Sequence, residues 1–447
     1  MKQRAKHSGH ATHANRPIRH DLVDAAVLEA YGLVHDQQWL ADRALERVLR
    51  REKRLYASER RAVAEAAYGM IRWRGRIEWA IGLDPRSPDH ALRYAAWLAD
   101  RGGEEAIPAA KRLGVRAQAL AGLDGATARI AAIPSPVGRL SVEQSLPRWI
   151  AQRFVDALGM DEARALATAM NARAPLTVRA NLLQNTRDDL LARLAKEGVT
   201  ATPTRFSPWG LVLDGHANAF ALDAFQEGRF EIQDEGSQLL ALALGARPNH
   251  VVIDACAGAG GKTLALAREM RSKGSLWALD PDAERLEECR RRARRNGVHN
   301  VRTRAVPGGG AEAEAAMKDL AGADRVLVDA PCSGLGTLRR KPDARWRLAD
   351  SDPPRFSALQ REIALRAARL VKPGGRLAYA TCSLAREENE EVAAFLAAEG
   401  PGLAPLPLAT ALGAGLAESL GATGHELHLW PHRHGTDGFY LALFERK

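Results

Sequence analysis

Cysteine is scarce in this chain: four in 447 residues, Cys256, Cys289, Cys332 and Cys382, widely spaced and never in a CxxC pair. A disulfide framework and a zinc site built on paired cysteines are therefore excluded, and a cysteine that matters here matters as a reactive thiol. Apolar runs of the 18 or more residues needed to span a membrane are missing too, and the N-terminus is charged and His-rich where a secretory signal would be apolar. These absences predict a cytoplasmic protein with no membrane partner. Acidic residues are missing from the first 20 positions, where Lys2, Arg4, Lys6, Arg16 and Arg19 supply five of the net +10 charges, so residues 1–20 read as a basic flexible tail. Aromatics make up only 5% of the chain, but 46% of it is hydrophobic, enough for the cores of two or three domains. The excess of 64 Lys+Arg over 54 Asp+Glu favours a polyanionic partner, nucleic acid first.

From Asp21 to about Leu83 apolar residues recur at helical spacing, through Val23, Ala26, Val27, Ala30 and Val34, then Leu40, Ala44, Leu45, Val48 and Leu49, then Val63, Ala66, Ala67, Met70 and Ile71. The pattern predicts an all-α bundle over 21–135, closed by a linker at Pro134-Ser135-Pro136 and Gly138. Residues 140–240 read as a small α+β region, with a helix over Leu146 to Met170 and strands at Leu176 to Asn181, Gly210 to Leu213 and Arg229 to Ile232. From 241 to 447 strands and helices alternate. Strands are predicted at Val251-Val252-Ile253, Ser275 to Leu279, Val326-Leu327-Val328 and Arg376 to Tyr379, with helices between them, as in a doubly wound, Rossmann-like α/β domain.

The segment Val251 to Thr263 is a strand, a glycine-rich turn and a helix start, a layout that lets a ligand approach the backbone. It is not a P-loop, because Gly258 stands too close to Gly261-Lys262-Thr263, and it misses the strict GxGxxG pattern because Thr263 occupies the third glycine position. The following strand nevertheless ends in Asp280, at the roughly 20-residue distance of an acid that accepts from a ribose. A nicotinamide cofactor and S-adenosylmethionine both satisfy this pattern.

Asp329-Ala330-Pro331-Cys332-Ser333-Gly334 and Thr381-Cys382-Ser383 each follow a predicted strand, at the carboxyl ends where open α/β sheets bind ligands. Two thiols on one rim suit methylation of a pyrimidine at carbon 5, which is too weak a nucleophile to take a methyl group unaided. A thiolate adding to carbon 6 makes carbon 5 an enamine carbon; after methyl transfer a base must remove the carbon 5 proton so that the enzyme adduct eliminates. Asp329, bonded to the pyrimidine N3 and exocyclic amine, would stabilise the charge that develops. Spacing does not say which cysteine attacks.

These residues resemble the Sun-type (Fmu, RsmB-like) RNA cytosine carbon-5 methyltransferases. The resemblance runs from about Leu146 to Lys447, through Ala174 to Asn181, Phe230 to Gln238, Asp254 to Thr263, Asp329 to Gly334, Thr381-Cys382-Ser383 and Asp437-Gly438-Phe439-Tyr440. It implies a class I methyltransferase domain with Cys382 as nucleophile and Cys332 assisting release. It implies S-adenosylmethionine held by Cys256, Ala257, Gly258, Ala259, Gly260, Gly261 and Lys262 together with Asp280 and Asp329, Lys262 orienting the target base, and no metal. The implied partner is RNA, most of all 16S ribosomal RNA, and the expected product 5-methylcytosine. The chain is expected to act as a monomer. Residues 21–83, with Tyr68 to Arg74, resemble the NusB-like domain that precedes the catalytic part in the small-subunit rRNA branch. Ala259 replaces a common Pro, and Arg304-Ala305-Val306-Pro307 lacks the usual Asp near the donor's adenine, leaving Asp324 or backbone groups to compensate. The rival readings are a tRNA enzyme of the same chemistry, a non-catalytic rRNA-binding assembly factor, and a nicotinamide-dependent oxidoreductase, which gives the two thiols no task.

Among the basic patches, Arg290 to Arg295 reads as a solvated helix face, whereas Arg339-Arg340-Lys341 directly follows the Cys332 turn and is the better candidate to hold substrate phosphates. Arg72, Trp73, Arg74, Arg76 and Trp79 divide evenly between RNA contact and core packing. Cys256 and Cys289 read as packing residues, and His425, His428, His432 and His434 as a surface loop rather than a metal site.

Overall fold

The computed structural model describes residues 17–214 and 217–447, so the first 16 residues of the predicted basic tail lie outside it. The chain divides into two compact units, one comprising residues up to Ala167 together with Lys341–Arg347, the other Thr168–Arg340 and Leu348–Lys447.

The first unit is helical. Helices α1 (His20–His35), α2 (Ala41–Arg51), α3 (Ala57–Ile81) and α4 (His90–Asp100) bury the apolar stripes read from the sequence, Val27 and Ala30 on α1 and Val63, Ala67 and Met70 on α3 among them. At Gly69 α3 and α4 meet closely; a side-chain carbon there would lie 2.4 Å from the Trp97 indole. The short segment Lys341–Arg347 packs into this unit, where Trp346 Nε1 donates to the Ile71 carbonyl at 2.6 Å and Arg345 to that of Ser145 at 3.1 Å. The expected linker at Pro134–Gly138 is instead a helix start. Ser135 caps Pro136–Glu143 by accepting from Gly138 N at 3.1 Å, with Pro136 in the first turn, where its missing N–H costs nothing.

The second unit holds two sheets. The small antiparallel one has the order β2-β3-β1-β4, from β1 (Leu176–Ala180), β2 (Ala201–Pro203), β3 (Gly210–Leu213) and β4 (Phe230–Ile232). The large one runs β10-β12-β9-β8-β5-β6-β7, with β11 beside β12. Its strands are β5 (Val251–Asp254), β6 (Ser275–Asp280), β7 (Val301–Ala305), β8 (Ala323–Asp329), β9 (Val371–Thr381), β10 (Leu403–Pro405), β11 (Glu426–Leu429) and β12 (Phe439–Arg446). Strands β5 to β9 are parallel and the order reverses between β5 and β8, the switch point at which a doubly wound sheet opens a crevice. Unlike the all-parallel alternation read from the sequence, β12 pairs antiparallel with β9, Tyr440 opposite Thr381. Its start therefore stands on the same rim as the ends of β5, β8 and β9.

Candidate active site

Four segments end on that rim: the glycine turn after β5, Asp280 at the end of β6, the Cys332 turn after β8 and the Cys382 turn after β9. Gly258 (φ +51°) and Gly260 (φ +86°) take left-handed backbone conformations that favour glycine. Gly260 also lies against Cys289, whose sulfur would be 2.5 Å from an added side-chain carbon. At Gly258 and Gly261, by contrast, an added carbon meets no atom within 4 Å, so the loop opens onto free space in front of a helix N-terminus. Asp280 holds the turn from below, accepting from Gly258 N and Asp282 N at 2.9 Å each. Each carboxylate oxygen keeps a further lone pair for a diol.

Behind the loop, Asp254 is buried and accepts from the Thr263 hydroxyl at 2.7 Å. Burial, against that hydrogen bond, pushes its carboxyl up to about 7. Lys262 reaches from the helix Gly261–Glu269 to Asp329 at the end of β8, Nζ to Oδ2 at 2.7 Å. Burial lowers the Lys262 ammonium, but Asp329 and, more weakly, Cys382 outweigh it and hold the amine above its ordinary value. Lys262 also sits 5.5 Å from the centre of the Phe439 ring.

The two thiols meet, with Cys332 Sγ and Cys382 Sγ 3.3 Å apart. The Cys382 neighbour, then burial, push the Cys332 thiol well above its usual range, so it is held neutral. The Cys382 carbonyl accepts from Gly336 N at 2.8 Å, and the Gly336 carbonyl accepts from Gly438 N at 2.8 Å. This contact explains both glycines, because a side-chain carbon at Gly336 would fall 2.2 Å from the Gly438 oxygen.

Sequence reasoning missed the groups that hold these turns. Arg179 in β1 is buried, donates to the Gly261 carbonyl at 3.1 Å, and is lowered to about 9 by burial. Arg292 donates to the Ala259 carbonyl at 2.8 Å and pairs with Glu231 of β4 at 2.8 Å. Glu388 joins the two cysteine turns. The only sign of it in the sequence is a Ser after each cysteine, Ser333 and Ser383.

Several sequence readings are corrected. Arg339 is buried on Asp437 at 2.6 Å, and the partly exposed Arg340 binds Asp234 at 2.9 Å and also Asp437, so both guanidiniums are already paired with carboxylates and only Lys341 of this patch is exposed. Asp324 lies at the start of β8, accepting from Val251 N at 2.8 Å, on the edge opposite the ligand rim; it cannot reach a donor adenine. Arg76 pairs with Asp100 at 2.9 Å, and Trp73 and Trp79 lie under Arg101 and Arg129, so this stretch is largely internal packing. His428 is not in a loop but on β11, 3.3 Å from Glu390. Within Arg290 to Arg295, Arg290, Arg291 and Arg294 pair with acids of their own helix on a solvated face, as read. Among the described residues, His35, Asp36 and His90 alone cluster at metal-ligand spacing. There Asp36 binds both rings at 2.8 Å, and burial, against the pull of Asp36, lowers His35. No helix among the described residues is long and apolar enough to cross a membrane.

The switch-point crevice, the open glycine turn and the acid closing the second strand define a Rossmann-like domain shaped for a nucleoside-bearing ligand. The model of the family "16S rRNA methyltransferase RsmB/F" matches residues 241–445, and that of the RsmF/B-like ferredoxin-like domain matches residues 146–219, which include β1 to β3. The chain belongs to this RsmB/F family of methyltransferases. It is 33% identical over 318 residues to the probable ribosomal RNA small subunit methyltransferase B of Bacillus subtilis (strain 168), covering 71% of this chain and 70% of the relative. To the ribosomal RNA small subunit methyltransferase B of Pseudomonas putida it is 34% identical, covering 67% and 66%. The crystal structure of PH0851 superposes with a TM-score of 0.76 at 28% identity, over 96% of this chain and 99% of that one. NSun6 from Pyrococcus horikoshii, solved with the S-adenosylmethionine analogue SFG, shares the fold at 21% identity, with a TM-score of 0.59 over 68% of this chain and 99% of that one.

Proposed function

We propose that the chain methylates carbon 5 of a cytosine in 16S ribosomal RNA through a covalent adduct between Cys382 and carbon 6. The observation that carries this reading is the pair of thiols 3.3 Å apart on adjacent strand ends, beside the Lys262–Asp329 ion pair. The open glycine turn and Asp280 suit S-adenosylmethionine, which supplies a methyl group on a sulfonium sulfur when bound there. Segment Cys256–Lys262 would hold its amino-acid end and Asp280 its ribose; with Asp324 on the far edge, backbone groups near Val306 are left for the adenine.

The chain's own residues then divide the work. Lys262 pairs with Asp329 at 2.7 Å and places an ammonium near Cys382, where it favours the thiolate. This differs from the expectation that Lys262 orients the base. The free oxygen of Asp329 accepts from the cytosine amine; as the thiolate adds, N3 takes a proton from water, presents it to the same carboxylate, and gives it back to water when the adduct eliminates. The Cys382 thiolate bonds carbon 6, and the displaced electron pair makes carbon 5 nucleophilic toward the methyl group. Once Cys382 is bound to carbon its negative charge is gone, so Cys332 can lose its proton to water. Cys332 then takes the carbon 5 proton, the 5–6 double bond reforms, and the carbon–sulfur bond breaks to return the Cys382 thiolate. A base can enter this rim only when unstacked, so the target lies in a loop or an unfolded rRNA segment. The helical first unit serves, on this reading, as a NusB-like RNA-binding domain.

Cys382→Ala is expected to abolish methyl transfer, whereas Cys332→Ala slows turnover on the order of 100-fold or more and accumulates a protein–RNA adduct visible on a denaturing gel. An active Cys382 variant, or normal release by the Cys332 variant, overturns the assignment. Bisulfite mapping of rRNA and tRNA from a deletion strain separates the rRNA reading from a tRNA one.

A further inference from the structure

We infer that Glu388 is the positioning residue that sets the distance between the two thiols. Its carboxylate is wholly buried between the two cysteine turns and serves both. Oε2 accepts from Ser333 N at 2.8 Å and from Gln360 Nε2 at 2.9 Å; Oε1 accepts from the hydroxyls of Ser333 and Ser383, the latter at 2.6 Å. The two hydroxyls lie 3.0 Å from each other. One side chain thus ties the residue after Cys332 to the residue after Cys382.

The other flank of each cysteine is tied to the same place. Gln360 Nε2 also donates to the Pro331 carbonyl at 2.9 Å, so the Cys332 turn is held on both sides. Asn389, the next residue after Glu388, accepts from the Thr381 hydroxyl at 2.6 Å and donates to the Ser383 carbonyl at 3.1 Å, bracketing Cys382. The Tyr379 hydroxyl fixes the Glu388 carbonyl at 2.5 Å and reaches the Gln360 amide at 3.1 Å. Burial pushes the Glu388 carboxyl up, while the surrounding donors pull it back. Four donors on one buried acceptor pair leave it little freedom to move, and a thiol displaced by about 1 Å forfeits catalysis on the order of 100-fold. The hydrogen bonds of the Glu388 carboxylate go to Ser333, Ser383 and Gln360, so it positions the thiols through the turns, and its charge adds a smaller upward push on the Cys332 thiol.

This inference rests on the proposed two-thiol chemistry, so its test reads the thiol pair directly as well as turnover. Diamide, a thiol oxidant that takes up two electrons and two protons, first adds to one thiolate; the second thiol then attacks that sulfur and releases the hydrazine, and this second step links Cys332 to Cys382 at a rate set by their proximity. In Glu388→Ala that rate is expected to fall at least tenfold and kcat at least a hundredfold, with the KM for S-adenosylmethionine within twofold of the parent. Glu388→Gln can satisfy the same partners, since both serine hydroxyls can turn to accept, and is expected to recover the pairing rate and kcat to within about tenfold. If Glu388→Ala does not fold, the Ser333→Ala, Ser383→Ala double variant takes its place, with the same expected loss of pairing. Unchanged diamide pairing in a folded variant overturns the inference, whatever the activity. Normal loss of pairing with no effect on kcat would instead count against the two-thiol chemistry itself.

Discussion

At the scale of single residues, charge in a dry place does most of the work. Replacing Lys262 by Met removes the ammonium that favours a Cys382 thiolate, so the acid limb of a kcat/KM profile should move to higher pH, with a loss on the order of 100-fold near neutrality. A profile with an unmoved acid limb would contradict this role. Asp254 makes the opposite kind of test. Its carboxyl is raised to about 7 in the fold, so the unfolded chain ionises first and stability falls as pH rises from about 4 to 7. Asp254→Asn should flatten that slope, worth at most about 4 kcal/mol, in urea melts across the window. The thiols were legible in the sequence because each follows a strand end and sits in a polar turn. Glu388 was not, since it lies in the charged run Glu387, Glu388, Glu390, Glu391, a pattern that ordinarily marks a solvated helix start. Only the fold turns that one acid inward.

At the scale of elements, the glycine turn works because at Gly260 it approaches the helix that carries Cys289 more closely than a side chain permits. Gly260→Ala adds a carbon 2.5 Å from the Cys289 sulfur on a left-handed residue. The expected cost is about 2–4 kcal/mol, combining backbone strain with overpacking. Adding Cys289→Ala should return the packing part and leave the strain, a non-additivity that a double-mutant cycle in urea can measure. The strand, turn and helix from Val251 to Glu269 followed from periodicity and glycine placement. Strand β12 did not, because Phe439 to Phe444 is buried at every position and lacks the alternation that marks a half-exposed strand. The Pro-Ser-Pro stretch misled for a related reason: proline opens helices as readily as it fills linkers, and only the Ser135 cap distinguishes the two.

For the molecule as a whole, long-range pairs decide which charges are available. Asp234 and Asp437 are distant in sequence, yet they share Arg339 and Arg340 in one buried cluster. Asp437→Asn removes the nearer of the two carboxylates on Arg339, leaving Asp234 and the Gly435 carbonyl, and should cost about 1.5–3 kcal/mol in denaturant melts, with little direct effect on RNA affinity measured in the folded state. RNA binding should instead track the exposed part of the +10 charge, weakening with salt at a log–log slope near −0.7 per phosphate contacted. The sequence by itself determined the alternation of strands and helices beyond Val251, the glycine turn, the acid after the second strand and two cysteines at strand ends, because these depend on local periodicity and backbone conformation. Which arginines face outward, where β12 enters, and what joins the two thiols were decided only in the tertiary structure. Those outcomes depend on pairing between residues far apart in the chain, and burial sets their strength.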